Sequence, residues 1–584
     1  MLVTSAGAWS PLSRTPERHC PDAPCADPDR PAVACRWRTG FAWSSAALLL
    51  IAVLGALKLA APLHRDAATF LWMASQLDQG AVLYADVWDV KQPGVFLFAW
   101  LAGRLFGFTP EGLHLLELAW HLTFAVVAIT ALRPLLRHRW IAAVAPAAFL
   151  VPYYVFAEPH QQTQLEVLVA LPLFASAWFT AVGWRSAGSR AAGFFAAGLA
   201  AGVATAFKHV LAPIPVIFLI AASVADFRRT DADGGLNLGR WRRLLLLAWL
   251  PFAAGVIVVW GGMALAFWWL GALDAFFATT FLYPLGALGA VSSAPVGRLA
   301  IAFAVFAVAM SPWLVYAGCG LWCQLRSGGP ALFGRMGLWI ATGIFVILLQ
   351  KSSWWTYHTL LLYAPTAVLA ARGLDLILDR LSLPAGDAGP ANEAGANRIR
   401  SNRIGAGTRG AGQSVGASGL RPVMLSALLV LPLLAGFGYP AAETARALTT
   451  ALTAEGGSLD SYRRQISADY ARASEAAAFL ATHAPAGPVY VFGDPTILLL
   501  DGRASALRIQ GSAWGFFLPE QWRSLPTDLR AAAPGWVFVE EPTRLLIEEH
   551  SPETAALLRR DYQVAWDSPY GRWYERRSDA DRLP

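Results

Sequence analysis

Residues 43–70 read WSSAALLLIAVLGALKLAAPLHRDAATF, an apolar run that leads directly into His64, Arg65 and Asp66. A transmembrane helix needs about 20 mainly apolar residues, so the run at 43–62 predicts a first membrane span. Ionisable side chains beside hydrocarbon are costly, and in membrane proteins they mark functional sites. This stretch therefore predicts a membrane-embedded chain that carries out its chemistry at the membrane surface.

The composition indicates the same fold class along the first three quarters of the chain. Of the 584 residues, 56% are hydrophobic and 15% are charged, and the mean hydropathy is +0.45, whereas a soluble protein is about 25% charged. The net charge of +7 comes from loop arginines, which indicates membrane topology and no nucleic-acid partner. We predict a polytopic α-helical membrane protein with about eleven transmembrane helices. The predicted spans are 43–62, 112–132, 140–156, 164–183, 191–207, 209–225, 244–270, 298–322, 336–350, 356–376 and 422–440.

The run at 94–108 decides how the loops are distributed between the two sides of the membrane. It is short, and glycine and proline interrupt it at its end. If it lies in the interface or re-enters, every basic cluster falls inside, as the positive-inside rule requires. The N-terminus then lies inside and the C-terminus outside. Four polar loops consequently face outward, namely those that hold Asp66, Glu158, Lys208 and Lys351.

The sequence divides into five segments of different composition. They are a polar cytoplasmic N-terminal segment (1–42), a transmembrane catalytic region (43–376), a flexible cytoplasmic linker (377–421), a last transmembrane helix (422–440) and a small extracytoplasmic α/β domain (441–584). In the last domain we predict helices at 467–482 and 552–559 and strands at 489–492, 536–539, 562–566 and 572–575. The final two strands are expected to form a hairpin, and Gly493-Asp494-Pro495 is expected to be a simple turn.

Two classes of site are excluded by what the sequence lacks. The five cysteines, Cys20, Cys25, Cys35, Cys319 and Cys323, form neither a disulfide framework nor a zinc-ligand pattern. There is also no P-loop, no dinucleotide-binding glycine motif, no H-E-x-x-H and no nucleophile elbow.

The outward acids and bases each allow a functional and a structural interpretation. Asp66 can act as a general base, or it can cap a helix at 67–77, and the two roles are compatible. For Glu166, we favour the role of a neutral, hydrogen-bonded interhelical carboxyl over a catalytic role. Lys208 can bind a lipid phosphate, or it can be a snorkelling lysine at a helix end. Lys351 can bind the same phosphate, or it can belong to an interfacial anchor.

One motif points to a family. The first outer loop carries Gly80-x-x-x-Tyr84-x-Asp86-x-Trp88-Asp89-x-Lys91-x-Pro93 after Asp66, and Glu158, Lys208 and Tyr357-His358 follow in that order. This order resembles membrane glycosyltransferases of the GT-C class. The similarity is to the family 39-like branch of protein O-mannosyltransferases and aminoarabinose transferases, over residues 40–375.

The resemblance implies an inverting glycosyltransferase in the bacterial inner membrane, with its active site facing the periplasm or exterior. It would move a sugar from a polyprenyl-phosphate donor to a lipid, glycan or protein acceptor, among membrane lipids. The residues expected to act are Asp66 and Glu158 in catalysis, Arg65, Lys91, Lys208 and Lys351 on the donor phosphate, and Tyr84, Asp86, Asp89, His160, Tyr357 and His358 in the substrate pocket. No cofactor and no metal ligand are assigned. Ala67 stands where many relatives carry a second acid, which leaves a divalent metal and the substrate open.

Two other functions stay open at this point. A transporter or flippase of a lipid-linked sugar would need charges near the bilayer midplane and broken helices, whereas here most charges lie at outer helix ends. A non-catalytic membrane scaffold would leave the clustering of outward acids and bases unexplained.

Overall fold

A computed structural model describes residues 32–182, 186–230, 238–290, 294–382, 420–454 and 456–578. Most of the predicted N-terminal segment and linker, together with Cys20 and Cys25, lie outside these residues. The described chain is mainly helical, with four short strands after residue 489. The prediction of a polytopic helical protein with a small C-terminal α/β region is confirmed.

The described residues before position 383 form a succession of helices joined by short connections. They are α1 (Ala32–Lys58), α2 (Arg65–Asp78), α3 (Pro93–Phe106), α4 (Pro110–Leu132), α5 (Val144–Phe156), α6 (Leu165–Leu168), α7 (Ala170–Ala181), α8 (Ala187–Phe207), α9 (Pro213–Thr230), α10 (Leu238–Leu244), α11 (Leu250–Trp269), α12 (Leu273–Phe277), α13 (Tyr283–Ala290), α14 (Val296–Ser327), α15 (Ala331–Leu349) and α16 (Tyr363–Ser382). Short 3₁₀ segments precede α5, α9 and α16 at Arg139–Ala143, His209–Leu211 and Thr356–Leu362.

Among the described residues, nine helical stretches are long and apolar enough to cross a bilayer. They are Phe41–Lys58, Pro110–Leu132, Arg139–Phe156, Ala187–Phe207, His209–Arg228, Leu238–Trp269, Val296–Ser327, Ala331–Leu349 and Thr356–Leu381. The predicted span at 164–183 is instead divided between α6 and α7, and the one at 422–440 lies within α17 (Leu420–Thr453).

Helix α3 covers the ambiguous run at 94–108. It has 14 residues, which corresponds to about 21 Å at 1.5 Å per residue and is less than the roughly 30 Å of a hydrocarbon core. Pro93 supplies its first residue, and Gly107, with φ of +93°, ends it. Its placement in or across the membrane stays a prediction.

Glycines let the long helices approach closely. Helices α8 and α11 meet at Gly198 and Gly255, and α14 and α16 meet at Gly320 and Gly373. A Cβ atom on Gly373 would lie 1.9 Å from the carbonyl oxygen of Tyr316. Small residues at such crossings are the usual device of membrane helix packing, because hydrocarbon supplies no hydrophobic force between helices.

The C-terminal region forms one four-stranded sheet in the order β1-β2-β4-β3. Strands β1 (Tyr490–Phe492) and β2 (Trp536–Glu540) are parallel, while β4 (Gly571–Arg576) pairs antiparallel with β2 and with β3 (Tyr562–Asp567). All four predicted strands and the predicted hairpin are therefore present. The surrounding helices are α18 (Leu459–Ile466), α19 (Ala468–His483), α20 (Thr496–Asp501), α21 (Pro519–Ala532), α22 (Glu541–His550) and α23 (Pro552–Asp561).

This sheet domain is hydrogen-bonded to α2 and to the loop between α2 and α3. The backbone N–H of Trp88 donates to the carbonyl of Arg508 at 3.0 Å, and the indole of Trp72 donates to the carbonyl of Arg503 at 3.0 Å. The C-terminal domain is therefore bound directly to α2 and to the loop that carries the family motif.

Candidate active site

Asp66 lies in the first turn of α2 but does not cap it. The N-cap position is His64, and the helix begins at Arg65. The Asp66 carboxylate accepts a hydrogen bond from Lys91 Nζ at 3.1 Å and another from Gln164 Nε2 at 3.4 Å. Because its partners come from two distant parts of the chain, the side chain faces a junction between elements. The capping interpretation is wrong.

The Asp66–Lys91 pair is held in its ionised form. Burial alone would raise the pKa of Asp66, but the charge and hydrogen bond of Lys91 outweigh it and keep that pKa below its usual value. Burial alone would likewise lower the pKa of Lys91, but Asp66 and Asp89 outweigh it and raise that pKa. The site therefore holds a carboxylate and an ammonium at neutral pH.

The motif loop between α2 and α3 presents Lys91. Tyr84 has a φ of +69°. Its hydroxyl donates to the carbonyl of Lys91 at 2.6 Å. Asp89 accepts from the Lys91 backbone N–H at 2.9 Å and lies 3.6 Å from its Nζ. Asp86 closes a turn by accepting from the backbone N–H of Val82 at 2.7 Å. These side chains shape the loop and fix the lysine within it.

A second ion pair joins α6 to the end of α8. Lys208 Nζ lies 2.5 Å from Glu166 Oε1, and Glu166 is 2% exposed. His358 Nε2 lies 3.8 Å from the same oxygen. The sequence favours an interhelical carboxyl for Glu166, and the structure gives this carboxyl Lys208 as its partner. Gln164, two residues before Glu166, donates to Asp66, which brings the two ion pairs into one region.

The remaining predicted residues lie at different distances from this region. Glu158 has a side chain that is 72% exposed and lies 3.3 Å from His160 Nδ1. The other ring nitrogen of His160 lies 3.1 Å from Thr356 Oγ1, next to Tyr357, and burial lowers the pKa of this imidazole. Lys351 is exposed in the turn after α15, and no described contact joins it to either ion pair.

Arg65 has a partner in the C-terminal domain. It forms a bidentate ion pair with Glu540, and one of the two hydrogen bonds measures 2.9 Å. Burial alone would lower the pKa of Arg65, but the charges of Asp494 and Glu540 raise it. Glu540 is the last residue of β2, and Asp494 follows β1 closely, with exposures of 3% and 2%. The simple turn predicted at 493–495 thus carries a buried acid.

Sequence reasoning missed Gln164 and Glu540. The signal for Glu540 and Asp494 was available, because ligand-facing groups in α/β sheets follow the carboxyl ends of adjacent parallel strands. No comparable signal marks Gln164. Among the described residues, no group of three or more His, Cys, Asp or Glu side chains is arranged to hold a metal ion.

Comparisons with known proteins identify the fold. No protein-family profile matches the chain, and no curated protein matches it. Two crystal structures of ArnT from Cupriavidus metallidurans do match, one bound to undecaprenyl phosphate and one in the apo state, with TM-scores of 0.54 and 0.52. The chain has the ArnT fold. The sequences are only 14% and 15% identical, yet the superpositions cover 91% and 93% of this chain and 97% and 98% of the two ArnT chains.

The ArnT fold confirms the predicted resemblance to GT-C proteins at the level of architecture. It extends that resemblance beyond residues 40–375, because the superposition covers nearly the whole chain, including most of the C-terminal part. Together with the nine candidate spans among the described residues, it supports an integral membrane protein with this fold.

Proposed function

We propose that the protein is an inverting membrane glycosyltransferase that uses a polyprenyl-phosphate sugar as donor. The observation that carries the proposal is the junction of two acid–lysine pairs, Asp66–Lys91 and Glu166–Lys208, on an ArnT fold. One of the matching ArnT structures is bound to undecaprenyl phosphate. Cations next to the bilayer bind a lipid phosphate. Lys91 lies in the loop before α3, and Lys208 lies at the end of α8.

In the proposed reaction, Asp66 removes the proton from an acceptor hydroxyl. The hydroxyl oxygen bonds to the anomeric carbon from the face opposite the phosphate, so the configuration inverts. The bond from that carbon to the phosphate oxygen breaks, and its electron pair leaves with the polyprenyl phosphate. Lys91 and Lys208 stabilise the charge that develops on this phosphate.

Lys91 connects donor binding to the strength of the base. While Lys91 pairs with Asp66, it keeps the pKa of this carboxyl low, which makes Asp66 a weak base. A donor phosphate competes for the same ammonium. Once Lys91 turns towards the phosphate, the burial of Asp66 is less compensated and its proton affinity increases. The base is then strongest when a donor is present.

The other predicted residues take supporting places in this proposal. Glu166 holds Lys208, while the exposed Glu158, beside the half-buried His160, contacts the acceptor. Arg65 and Lys351 are secondary phosphate ligands, and Tyr84, Asp86 and Asp89 shape the loop. His358 adjoins Glu166, and the Tyr357 ring packs against the His358 ring. We place the active site on the periplasmic or exterior face of a bacterial inner membrane, with a lipid, glycan or protein as acceptor.

The test uses membranes that contain the full-length protein and a radiolabelled polyprenyl-phosphate sugar. A positioned base typically contributes about 10²–10⁴-fold, so we expect Asp66→Asn to lower transfer by about that factor while the protein still folds. Asp78→Asn, the same change at the other end of α2, is the matched control and should keep wild-type transfer. Full transfer by Asp66→Asn, or labelled lipid that crosses the membrane without cleavage, would overturn the proposal; the second outcome identifies a flippase.

A further inference from the structure

A second buried polar cluster is centred on Glu117 of α4. It adjoins the segment that leads into Gln164 and Glu166 of the proposed active site. Glu117 is 3% exposed. Its Oε1 accepts from the backbone N–H of Thr163 at 3.2 Å and from the hydroxyl of Tyr153. Its Oε2 accepts from the hydroxyl of Thr163 at 2.8 Å and lies 3.3 Å from His114 Nδ1. Both oxygens of this buried carboxylate are therefore bound to Thr163.

Thr163 has a backbone conformation that threonine rarely adopts. Its φ is +54°, in the left-handed region, and its side chain is completely buried. A β-branched residue in this region is strained, and such strain persists only where surrounding contacts determine it. The two hydrogen bonds to Glu117, together with one from the Thr163 backbone N–H to the Tyr153 hydroxyl at 3.1 Å, supply these contacts. Glycine would adopt the same φ without strain.

The residues after Thr163 enter the site directly. The amide of Gln164 donates to Asp66 at 3.4 Å and to the carbonyl of His160 at 2.9 Å. Glu166, in the next turn, pairs with Lys208. A change in φ at Thr163 would turn both side chains away from their partners. The left-handed turn thus determines the position of Gln164, which bonds to Asp66, and of Glu166, which pairs with Lys208.

The cavity beside Glu117 is too small for a substrate. It is lined by Lys58, His114, Glu117, Tyr153 and Gln162 among others. Its size is about that of one water molecule, far below a sugar ring. Glu117 therefore has no direct route to the donor or the acceptor.

We propose that Glu117 is a positioning residue, which holds the left-handed turn at Thr163 and so sets Gln164 and Glu166 in the active site. The inference rests on the proposed function, because it assigns these groups to sugar transfer. Glu117 acts on the site through Thr163, and it touches neither substrate nor reacting atoms. Misplacement of reacting groups by about 1 Å lowers rates by about 10².

The experiment compares Glu117→Gln, Thr163→Gly and the double variant in the transfer assay, with the full-length protein. Glu117→Gln keeps the size of the side chain but replaces one acceptor oxygen with an NH₂ group. We expect it to lower kcat by about 10–10²-fold with little change in KM for the donor. In the double variant, glycine adopts the turn unaided, so kcat should equal that of Thr163→Gly alone.

Controls separate positioning from a general loss of packing. Tyr154→Phe removes a buried hydrogen bond to His121 in the same cluster, without touching Thr163, and should leave kcat unchanged. If Glu117→Gln does not fold, Thr163→Val removes the hydroxyl that donates to Glu117, keeps the β-branched side chain and should lower kcat in the same way. Wild-type kcat in the foldable variant, or single-variant losses that multiply in the double variant, would overturn the proposal.

The failure of this inference differs from the failure of the proposed function. If Asp66→Asn is inactive while Glu117→Gln and Thr163→Val keep wild-type kcat, only the positioning role is refuted. If Asp66→Asn retains transfer, the assignment of the base is refuted, and the positioning role fails with it.

Discussion

The buried pair of Glu166 and Lys208 supports the prediction that a double variant of the pair is more stable than a single variant. Glu166 Oε1 lies 2.5 Å from Lys208 Nζ, and the two side chains are 2% and 17% exposed. The other carboxylate oxygen, Oε2, is buried and has no hydrogen-bond partner among the described residues. Lys208→Met therefore leaves a buried carboxylate whose remaining described neighbour is His358, at 3.8 Å.

The expected magnitude follows from this geometry. Removing one partner of a buried ion pair costs about 3–5 kcal/mol, whereas replacing both by apolar residues of similar size is neutral or stabilising. We therefore expect Lys208→Met to lower the free energy of unfolding by about 3–5 kcal/mol. Adding Glu166→Leu to Lys208→Met should restore most of this loss, so the double variant is more stable than the single.

Unfolding in mixed micelles with increasing SDS, followed by tryptophan fluorescence, measures this difference. Arg446→Met is the control, because it breaks an exposed ion pair with Glu443 and should leave the unfolding midpoint almost unchanged. All Glu166 and Lys208 variants should lose transfer activity, which separates their role in the site from their effect on stability. A double variant no more stable than Lys208→Met would refute the reasoning.

Two further predictions concern the base and the helix packing. Without Lys91, burial raises the pKa of Asp66, so Lys91→Met should move the acid limb of the kcat/KM pH profile, which reports the donor-free enzyme, to higher pH; an unmoved limb contradicts the pairing. Gly373→Ala should lower the thermal midpoint of the membrane part, because its Cβ would lie 1.9 Å from the Tyr316 carbonyl oxygen, whereas Gly318→Ala, with nothing within 4 Å, should not. Equal midpoints for the two glycine variants would show that the α14–α16 contact adapts.

Hydropathy and alternation predicted most of the architecture. The apolar runs predicted the long helices, and short runs such as 536–539 predicted the strands, because both patterns follow from burial along one element. The same reasoning treated 164–183 as one span. It missed the left-handed turn at Thr163 and the break between α6 and α7, since a buried irregular segment can be as apolar as a helix.

The site was predictable only where its residues lie close in sequence. Asp66 and Lys91 are 25 positions apart, and the structure pairs them. The apolar run around Glu166 predicted a buried interhelical carboxyl, but it did not show that its partner is Lys208, 42 positions further along the chain. The partner of Arg65 was not predictable at all, because tertiary contacts between distant elements leave no local pattern.

The ion pair between Arg65 and Glu540 has a consequence for the timing of biogenesis. The two residues are 475 positions apart, and chains grow at about 5–20 residues per second. Arg65 therefore leaves the ribosome roughly 25–95 seconds before its partner exists. During this interval the beginning of α2 lacks the acid that later fixes it. The active site is thus among the last parts of the molecule to be completed, and nascent chains that have not yet finished synthesis are expected to be inactive.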